Sequence, residues 1–298
     1  MRRLPGHRHR RRCGTLGAAG STRRRKQCTQ SIYRGPVTRR FYTSRRTNSP
    51  QFTFDASPTC DDTRVSSSNV RAPSPIDRAF LTDQPETGTL YLVRHGQQQW
   101  PDPLTSVAGD WVDPPLSETG RAQADCVGRW LADRPVAAVY SSQLLRANDT
   151  GKAIARHHQL EVQVIEELEE IRLFEDLPQD ERPIDILGEM ALDGIRERFV
   201  QTQKWDVYPH TERSLDFRRR VGWAIESALV THPGETIVIA CHGGVINAYL
   251  SEILGLDVDM FFRPYHASSH RILFGQGRRV IDTLNDEAYL AAEGLLTH

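Results

Sequence analysis

Residues 89–96 read Thr-Leu-Tyr-Leu-Val-Arg-His-Gly, and this stretch decides the fold. Its first five residues are mostly apolar, with branched and aromatic side chains, which predicts a short buried strand that ends at Arg94 and His95. Residues 236–240, Thr-Ile-Val-Ile-Ala, form a second such run, which ends before His242. Because neither run alternates apolar with polar residues, we expect both inside a largely parallel sheet that is covered by helices on its two faces.

The segments around these two runs alternate between strand and helix patterns. Ser117 is a plausible N-cap, and apolar or small residues at helical spacing predict a helix from there to about residue 132. Further strands are predicted at 136–140, 160–165, 270–274 and 279–284, and further helices at 144–157, 245–254 and, interrupted by prolines, over 172–230. This alternation predicts an α/β fold, a three-layer α/β/α sandwich with a mainly parallel sheet, over residues 86–298.

The N-terminal stretch has a different composition. Residues 1–54 hold 15 of the 38 Arg and Lys residues and no Asp or Glu, which leaves 23 basic against 38 acidic residues in the rest of the chain. With few large apolar residues it cannot bury enough surface to offset the entropy of ordering, so we expect residues 1–85 to be a disordered basic tail that ends in a Ser- and Pro-rich linker.

Three origins of this tail stay open. It has the composition of a mitochondrial leader, and it also resembles a tail that binds nucleic acid or acidic lipid non-specifically. The third origin is sequence read upstream of the true start in GC-rich DNA, which the 35 Arg against 3 Lys of the chain favour.

The composition also bears on compartment and cofactors. No apolar run approaches the ~18 residues of a membrane-spanning helix. Of five cysteines only Cys126 and Cys241 lie in the predicted domain, and they form neither a metal-ligand pattern nor a disulfide framework. His266 and His270 have no further ligands near them in sequence, so we expect no metal and no other cofactor. We expect a cytoplasmic protein, or a mitochondrial one if the tail is a leader.

Two arginines and two histidines follow predicted strands. In an open α/β sheet, ligands bind beyond the carboxyl ends of the strands, so we expect Arg94, His95, Arg146 and His242 at one rim. Arginine binds phosphoryl oxygens through a planar fork, and an unprotonated imidazole nitrogen can attack phosphorus. The pattern predicts a phosphoryl-transfer site with His95 as nucleophile.

Four segments in this order resemble the histidine phosphatase superfamily, the group that includes phosphoglycerate mutases. The segments are 92–96, 116–124, 139–147 and 239–244, and the likeness spans about residues 88–290. The resemblance implies a phosphomonoesterase that forms a phosphohistidine on His95, with Arg94, Arg146 and His242 as the rest of the pocket and no metal.

The resemblance also implies a general acid soon after the third strand, in a Leu-x-Glu-Ile context. Residues 168–171, Leu-Glu-Glu-Ile, match it and make Glu170 the candidate. Glu169, Glu167 and Asp176 remain rivals, and the acidic cluster over 166–170 has a solvated charged face as its alternative interpretation.

One departure bears on the activity. Gln98 and Pro101 stand where mutases and many relatives carry a hydroxyl residue and an Asn that donate to the phosphate. Proline has no donor, so one contact to the phosphate is lost unless Gln98 or Gln97 replaces it, and Gln98 is the candidate ligand. The lost contact argues against a mutase.

The leading hypothesis is therefore hydrolysis of a small phosphorylated metabolite, with water as the final acceptor. A mutase or sugar bisphosphatase is the enzymatic alternative, and a protein that binds phosphorylated ligands without turnover is the non-enzymatic one. We expect no specific nucleic-acid partner and no membrane span, and a homodimer stays open.

Overall fold

The computed structural model of this chain describes residues 74–82, 84, 86–102 and 105–297. Its strands are β1 (Gly88–Arg94), β2 (Val136–Ser141), β3 (Val162–Val164), β4 (Thr236–Cys241), β5 (Ser269–Gly275) and β6 (Arg278–Asp286). Its helices are α1 (Pro75–Ala79), α2 (Glu118–Leu131), α3 (Leu145–Ala155), α4 (Pro183–Leu187), α5 (Glu189–Thr202), α6 (Ser214–Val230), α7 (Gly243–Leu254) and α8 (Ala288–Ala292). Short 3₁₀ turns lie at Ala108–Trp111, Glu166–Leu168 and Trp205–Val207.

The strands form one sheet in the order β3-β2-β4-β1-β5-β6. β1, β4, β2 and β3 run parallel, whereas β5 pairs antiparallel with β1 and β6 pairs antiparallel with β5. Arg94 lies opposite Cys241, so β1 and β4 end at the same level in the middle of the sheet. The prediction of a mainly parallel sheet with 236–240 near its centre is confirmed.

Helices cover both faces of the sheet. Because successive strand residues point to opposite faces, Leu92 and Ile239 pack in one core with α6 and α7, while Val93 and Val238 pack in a second core with α2, α3 and α8. The predicted three-layer α/β/α arrangement is confirmed.

Local signals set the ends of several elements. Ser117 caps α2 as predicted, since its hydroxyl accepts a hydrogen bond from Gly120 N at 3.0 Å. The third strand is shorter than the predicted 160–165, because β3 pairs only with β2 and gives way to the 3₁₀ turn at Glu166–Leu168. Pro183 lies in the first turn of α4, where its missing N–H breaks no helical hydrogen bond.

The predicted disordered tail lies outside the described residues up to residue 73. Its last part requires a correction, because α1 is ordered where disorder was expected to continue to residue 85. Ser74 and Asp77 form a reciprocal capping box at the start of α1, and Leu81 is buried with its carbonyl accepting from the hydroxyl of Thr87.

Among the described residues, no helix combines the length and the apolar character that crossing a membrane requires.

Candidate active site

The ends of β1 and β4 bring two histidine rings together. His95 N donates to the carbonyl of Cys241 at 2.9 Å, which continues the strand pairing by one residue. The ring centroids of His95 and His242 are 5.2 Å apart, and both rings are buried. The sheet register therefore places two imidazoles that are 147 positions apart in sequence beside one another.

The tautomer of His95 follows from its hydrogen bond. Nδ1 lies 2.7 Å from the carbonyl oxygen of Gly96, and since a carbonyl can only accept, Nδ1 carries the hydrogen. Nε2 then holds the free electron pair. Burial, followed by the charges of Arg146 and Arg94, lowers the pKa of His95 well below its usual range, which keeps the ring neutral.

Close backbone contacts fix the turn that carries this ring. A Cβ on Gly96 would lie 2.3 Å from the carbonyl oxygen of Gly120, and a Cβ on Gly120 would lie 1.9 Å from that of Gln97. Gly96 N also donates to the buried hydroxyl of Thr150 at 3.1 Å. The turn after β1 is thus wedged against the first turn of α2, where only glycine fits.

Arg94 and Arg146 each have N–H donors that form no hydrogen bond among the described residues. Arg94 Nη1 donates to the carbonyl of Pro264 at 2.7 Å, and Arg146 Nη1 donates to that of Val112 at 3.1 Å. The Nε of each is buried and has no hydrogen-bond partner among the described residues. Burial lowers the pKa of Arg94 to about 10 and lowers that of Arg146, so a group that brings negative charge would be favoured here.

His242 is also a buried side chain with one polar atom bonded and another without a partner among the described residues. Its Nε2 lies 2.7 Å from the hydroxyl of Ser142, which follows β2, and its Nδ1 is buried without a partner among the described residues. Burial, and then the charges of Arg146 and Arg94, lower the pKa of His242 well below its usual range. With the Ser142 hydroxyl donating to Nε2, Nδ1 carries a hydrogen that it can donate to an anion.

Glu170 is the acidic residue that reaches this group. Its Oε2 accepts from Gly244 N, in the first turn of α7, at 3.0 Å, and its Oε1 accepts from Ile171 N at 3.1 Å. Its charge is the largest raising influence on the pKa of both Arg94 and Arg146. The carboxylate therefore contacts the backbone two residues after His242, and its charge acts on both guanidinium groups.

The rivals of Glu170 have other surroundings. Glu169 Oε2 accepts from the side chain of Gln143 at 3.0 Å, and the side chain of Asp176 is exposed. Glu167 enters the hydrogen bonds among the described residues through its carbonyl oxygen. The geometry thus favours Glu170 within the acidic cluster.

Gln98 is a predicted phosphate ligand that has no hydrogen bond to the other predicted site residues in the described part of the chain. Its backbone forms a bridge with Leu116, and among the described residues its side chain has no hydrogen bond to the histidines or arginines. The side chain of neighbouring Gln97 accepts from the hydroxyl of Ser117 at 2.9 Å.

Sequence reasoning missed Asp113. Its Oδ1 accepts from Leu145 N at 2.7 Å, at the start of α3, and lies 3.8 Å from Arg146 Nη1. The signal was indirect: Leu144, the N-cap of α3, has no side chain that can cap, so the first turn of α3 has backbone N–H groups open to an acceptor from elsewhere in the chain.

A third histidine also lies at the site. The ring centroids of His95 and His266 are 6.1 Å apart, and His266 Nδ1 lies 2.9 Å from the hydroxyl of Thr297. Within the part of the chain that the structure describes, no group of three or more His, Cys, Asp or Glu side chains could hold a metal ion.

An open cavity of about 690 Å³ adjoins Arg146, since Val112 and Asp113, which contact that arginine, are among the residues that line it. Trp100, on its wall, is 60% exposed. Across from it, Gly109 N donates to the carbonyl of Gln179 at 3.0 Å, so the segment before α4 packs against this wall. A substrate could place its non-phosphate part here.

Comparisons with known proteins identify the family of this chain. A family model described as histidine phosphatase superfamily (branch 1) matches residues 90–287. The chain is 29% identical to phosphoserine phosphatase 1 of Hydrogenobacter thermophilus over 212 residues, which cover 67% of this chain and 93% of that protein. It is also 29% identical to a 2,3-bisphosphoglycerate-dependent phosphoglycerate mutase of a Chelativorans species over 222 residues, or 70% and 98% of the two chains. The structure of YhfR from Bacillus stearothermophilus is similar with a TM-score of 0.59 and 26% identity, over 68% of this chain and 99% of that one.

Proposed function

The chain belongs to branch 1 of the histidine phosphatase superfamily, and from this premise we propose that it hydrolyses phosphate monoesters through a phosphohistidine on His95. The observation that carries the proposal is the hydrogen bond from His95 Nδ1 to the Gly96 carbonyl, which leaves Nε2 unprotonated and buried beside two guanidinium groups. A neutral nucleophile next to unpaired cationic donors is the combination that phosphoryl transfer requires.

In the first step, the phosphoryl group of the substrate binds between Arg94, Arg146 and His242. The unpaired Nε–H groups of the arginines and Nδ1–H of His242 donate to its oxygens. Nε2 of His95 attacks phosphorus as the bond to the ester oxygen breaks. Glu170 enters this step in its neutral, protonated form and transfers that proton to the leaving oxygen. The products of this step are an alcohol and phosphohistidine.

In the second step, water replaces the alcohol. The Glu170 carboxylate takes a proton from water as its oxygen bonds to phosphorus and the N–P bond to His95 breaks. Inorganic phosphate leaves, and both side chains return to their starting states. The same two residues thus serve both steps, as microscopic reversibility requires.

Hydrolysis is favoured over phosphoglycerate isomerisation by the cationic groups available. Pro101 has no donor, and among the described residues the side chain of Gln98 has no hydrogen bond to the histidines or arginines. The residues lining the cavity beside Arg146 include Asp110 and Asp113 and no Lys or Arg. A mutase must hold a doubly phosphorylated intermediate, which these surroundings would repel.

The proposal is tested by assaying phosphate release and phosphoglycerate isomerisation side by side, with EDTA present in both. We expect metal-independent phosphate release that His95→Ala reduces at least about a thousandfold, and isomerisation at a small fraction of that rate. Efficient isomerisation would instead establish a mutase. Phosphate release that is absent in the unmodified chain, while inorganic phosphate still binds, would establish a binding protein without turnover.

A further inference from the structure

We infer that Arg220 is a positioning residue for proton transfer: it fixes the loop that carries Glu170, and thereby the distance between the carboxyl group and the leaving oxygen. The inference rests on the proposed role of Glu170 as the acid. It goes beyond that role because it assigns a task to Arg220, a residue of α6 that does not lie at the end of a sheet strand.

The guanidinium of Arg220 binds the backbone on each side of the acid. Its Nη1 donates to the carbonyl oxygens of Glu167 at 2.6 Å and Glu169 at 2.8 Å, and its Nη2 donates to the carbonyl oxygen of Glu170 at 3.3 Å. Residues 169–172 belong to no helix or strand, so the regular ladders of the fold do not hold this segment. Arg220 supplies the hydrogen bonds that a helix or a strand would otherwise provide.

Glu212 fixes the guanidinium in turn. Its Oε1 accepts from Arg220 Nε and its Oε2 accepts from Arg220 Nη2, both at 2.7 Å. The two side chains are only 17% and 7% exposed. A bidentate pair with little solvent around it holds its geometry more tightly than a surface ion pair.

These contacts use the whole donor capacity of the residue. Guanidinium has five N–H groups, and five hydrogen bonds leave Arg220, two to Glu212 and three to the acidic loop. Lysine carries a single nitrogen with three donors, so it cannot reproduce this set of contacts.

The acid is therefore held from two sides. Arg220 fixes its backbone, and Gly244 N at the start of α7 donates to its Oε2 at 3.0 Å. Proton transfer needs a heavy-atom separation of roughly 2.6–3.2 Å, and a displacement of ~1 Å can cost about a hundredfold in rate. Releasing the backbone should thus impair proton donation while His95 remains able to attack.

The choice of substrate separates positioning from general stability. An alkyl phosphate needs a proton on its leaving oxygen, whereas nitrophenol leaves without one. We expect Arg220→Gln to lower kcat/KM for an alkyl phosphate by about 10- to 100-fold and for p-nitrophenyl phosphate by less than about 3-fold. Because kcat/KM covers the steps up to formation of the phosphoenzyme, slow hydrolysis of phosphohistidine does not mask the difference.

Arg218 offers a matched control on the same helix. Its Nε donates to Asp259 at 3.0 Å and its Nη1 to the carbonyl of Leu256 at 3.0 Å, with a further bond to that of Val258. It thus clamps a different loop with contacts of the same kind. We expect Arg218→Gln to lower the midpoint of thermal unfolding as much as Arg220→Gln does, with an equal effect on the two substrates.

The single variants Glu170→Gln and Arg220→Gln, together with the double variant that combines them, distinguish a failure of this inference from a failure of the proposed acid. If Glu170→Gln affects both esters equally, Glu170 is not the acid and the proposed mechanism fails. If Glu170→Gln is selective for the alkyl ester but Arg220→Gln is not, the positioning role is wrong. When both are selective, we expect Arg220→Gln to add less than about 3-fold in the Glu170→Gln background, since both act on one proton transfer.

Two milder variants cover the case in which Arg220→Gln does not fold. Arg220→Lys keeps the charge, and Glu212→Gln keeps a hydrogen-bond acceptor for Arg220. We expect each to show a smaller selective loss on the alkyl ester. A folded variant of either kind that is impaired equally on both esters, or on neither, would overturn the inference.

Discussion

The imidazole of His95 has a different task for each nitrogen. Nδ1 is tied to the carbonyl of Gly96, which sets the tautomer, and Nε2 keeps its electron pair for phosphorus. Burial and the charges of Arg146 and Arg94 oppose protonation of the ring. The surroundings that would stabilise a dianion are thus the same that keep the nucleophile in its reactive form.

The sign of the pKa shifts leads to the first prediction. Since the pKa of both His95 and His242 is lowered, each ring stays neutral below the reference value of about 6.5. We expect their Cε1–H signals in a ¹H–¹³C NMR titration of the free protein to stay constant from pH 8 down to about pH 6. Assignment uses His95→Gln and His242→Gln. A transition of either ring near its reference pKa would show that burial and the arginines do not control the site.

Asp113 gives a second prediction for a single side chain. Asp113→Ala removes the acceptor for Leu145 N and the carboxylate near Arg146. We expect the free energy of unfolding in urea to fall by about 1 kcal/mol, the typical worth of a helix cap, and inorganic phosphate to inhibit more strongly, because a negative charge beside Arg146 is removed. Asp113→Asn keeps an acceptor at the start of α3 but not the negative charge, so it should recover much of the stability while phosphate inhibits it as strongly as it inhibits Asp113→Ala. Equal effects of the two variants on both quantities would contradict this division.

Some residues of the site could be predicted from the sequence, and others could not. Arg94, His95 and His242 directly follow strands whose apolar runs are visible in the sequence, so their convergence could be predicted from the topology of a parallel sheet. Ser142, Thr150 and Asp113 act through contacts made 100, 54 and 32 positions along the chain, and no local pattern encodes such contacts. Gln98 was chosen by analogy of position, and its role in phosphate binding stays a prediction; its backbone forms a bridge with Leu116.

Among the elements, the contact between the turn after β1 and the start of α2 has the least room. Ser117 caps α2 and also donates to the side chain of Gln97, so the helix and the turn are joined by side chains as well as by the packed glycines. The amphipathic pattern predicted α2 well, but a distance between two backbones cannot be read from apolar periodicity.

A third prediction tests this contact. In Gly120→Ala the new methyl would lie 1.9 Å from the carbonyl oxygen of Gln97, which is backbone and cannot rotate away. We expect a loss of about 1–3 kcal/mol in the free energy of unfolding together with lower kcat, since the turn that moves carries His95. Gly222→Ala on α6 is the control, because nothing lies within 4 Å of its Cβ, and there alanine should be neutral or stabilising. Full activity of Gly120→Ala would contradict the role given to the turn.

At the scale of the whole molecule, the site is assembled from both halves of the domain. β1 and β2 supply one half of the pocket and β4 with α7 supplies the other, while residues near the C-terminal end reach back to it through Thr297 and His266. The composition predicted a domain from residue 86, and the first described helix starts at Pro75. It missed the order of that first helix, because a capping box of two residues is too small to change an average over a long basic tail.

A fourth prediction concerns the division of the chain. Every contact of the site described above is made by residues 94–297, so a chain that starts at Ser74 should contain all of the catalytic groups. We expect removal of residues 1–73 to change kcat/KM by less than about twofold. Size-exclusion chromatography and the unfolding midpoint check that the shortened chain is folded. A large loss of activity in a folded, shortened chain would place part of the site in the basic tail.

The central claim is that phosphate passes through the Nε2 atom of His95, and trapping the intermediate tests it most directly. The protein is mixed with substrate for milliseconds, quenched in alkali and examined by ³¹P NMR and peptide mass spectrometry. The account predicts one phosphate on Nε2 of His95 that is stable to base and lost in acid, formed no more slowly than turnover, and absent in His95→Gln. Phosphate found on another residue, or turnover with no phosphohistidine formed on that timescale, would contradict it.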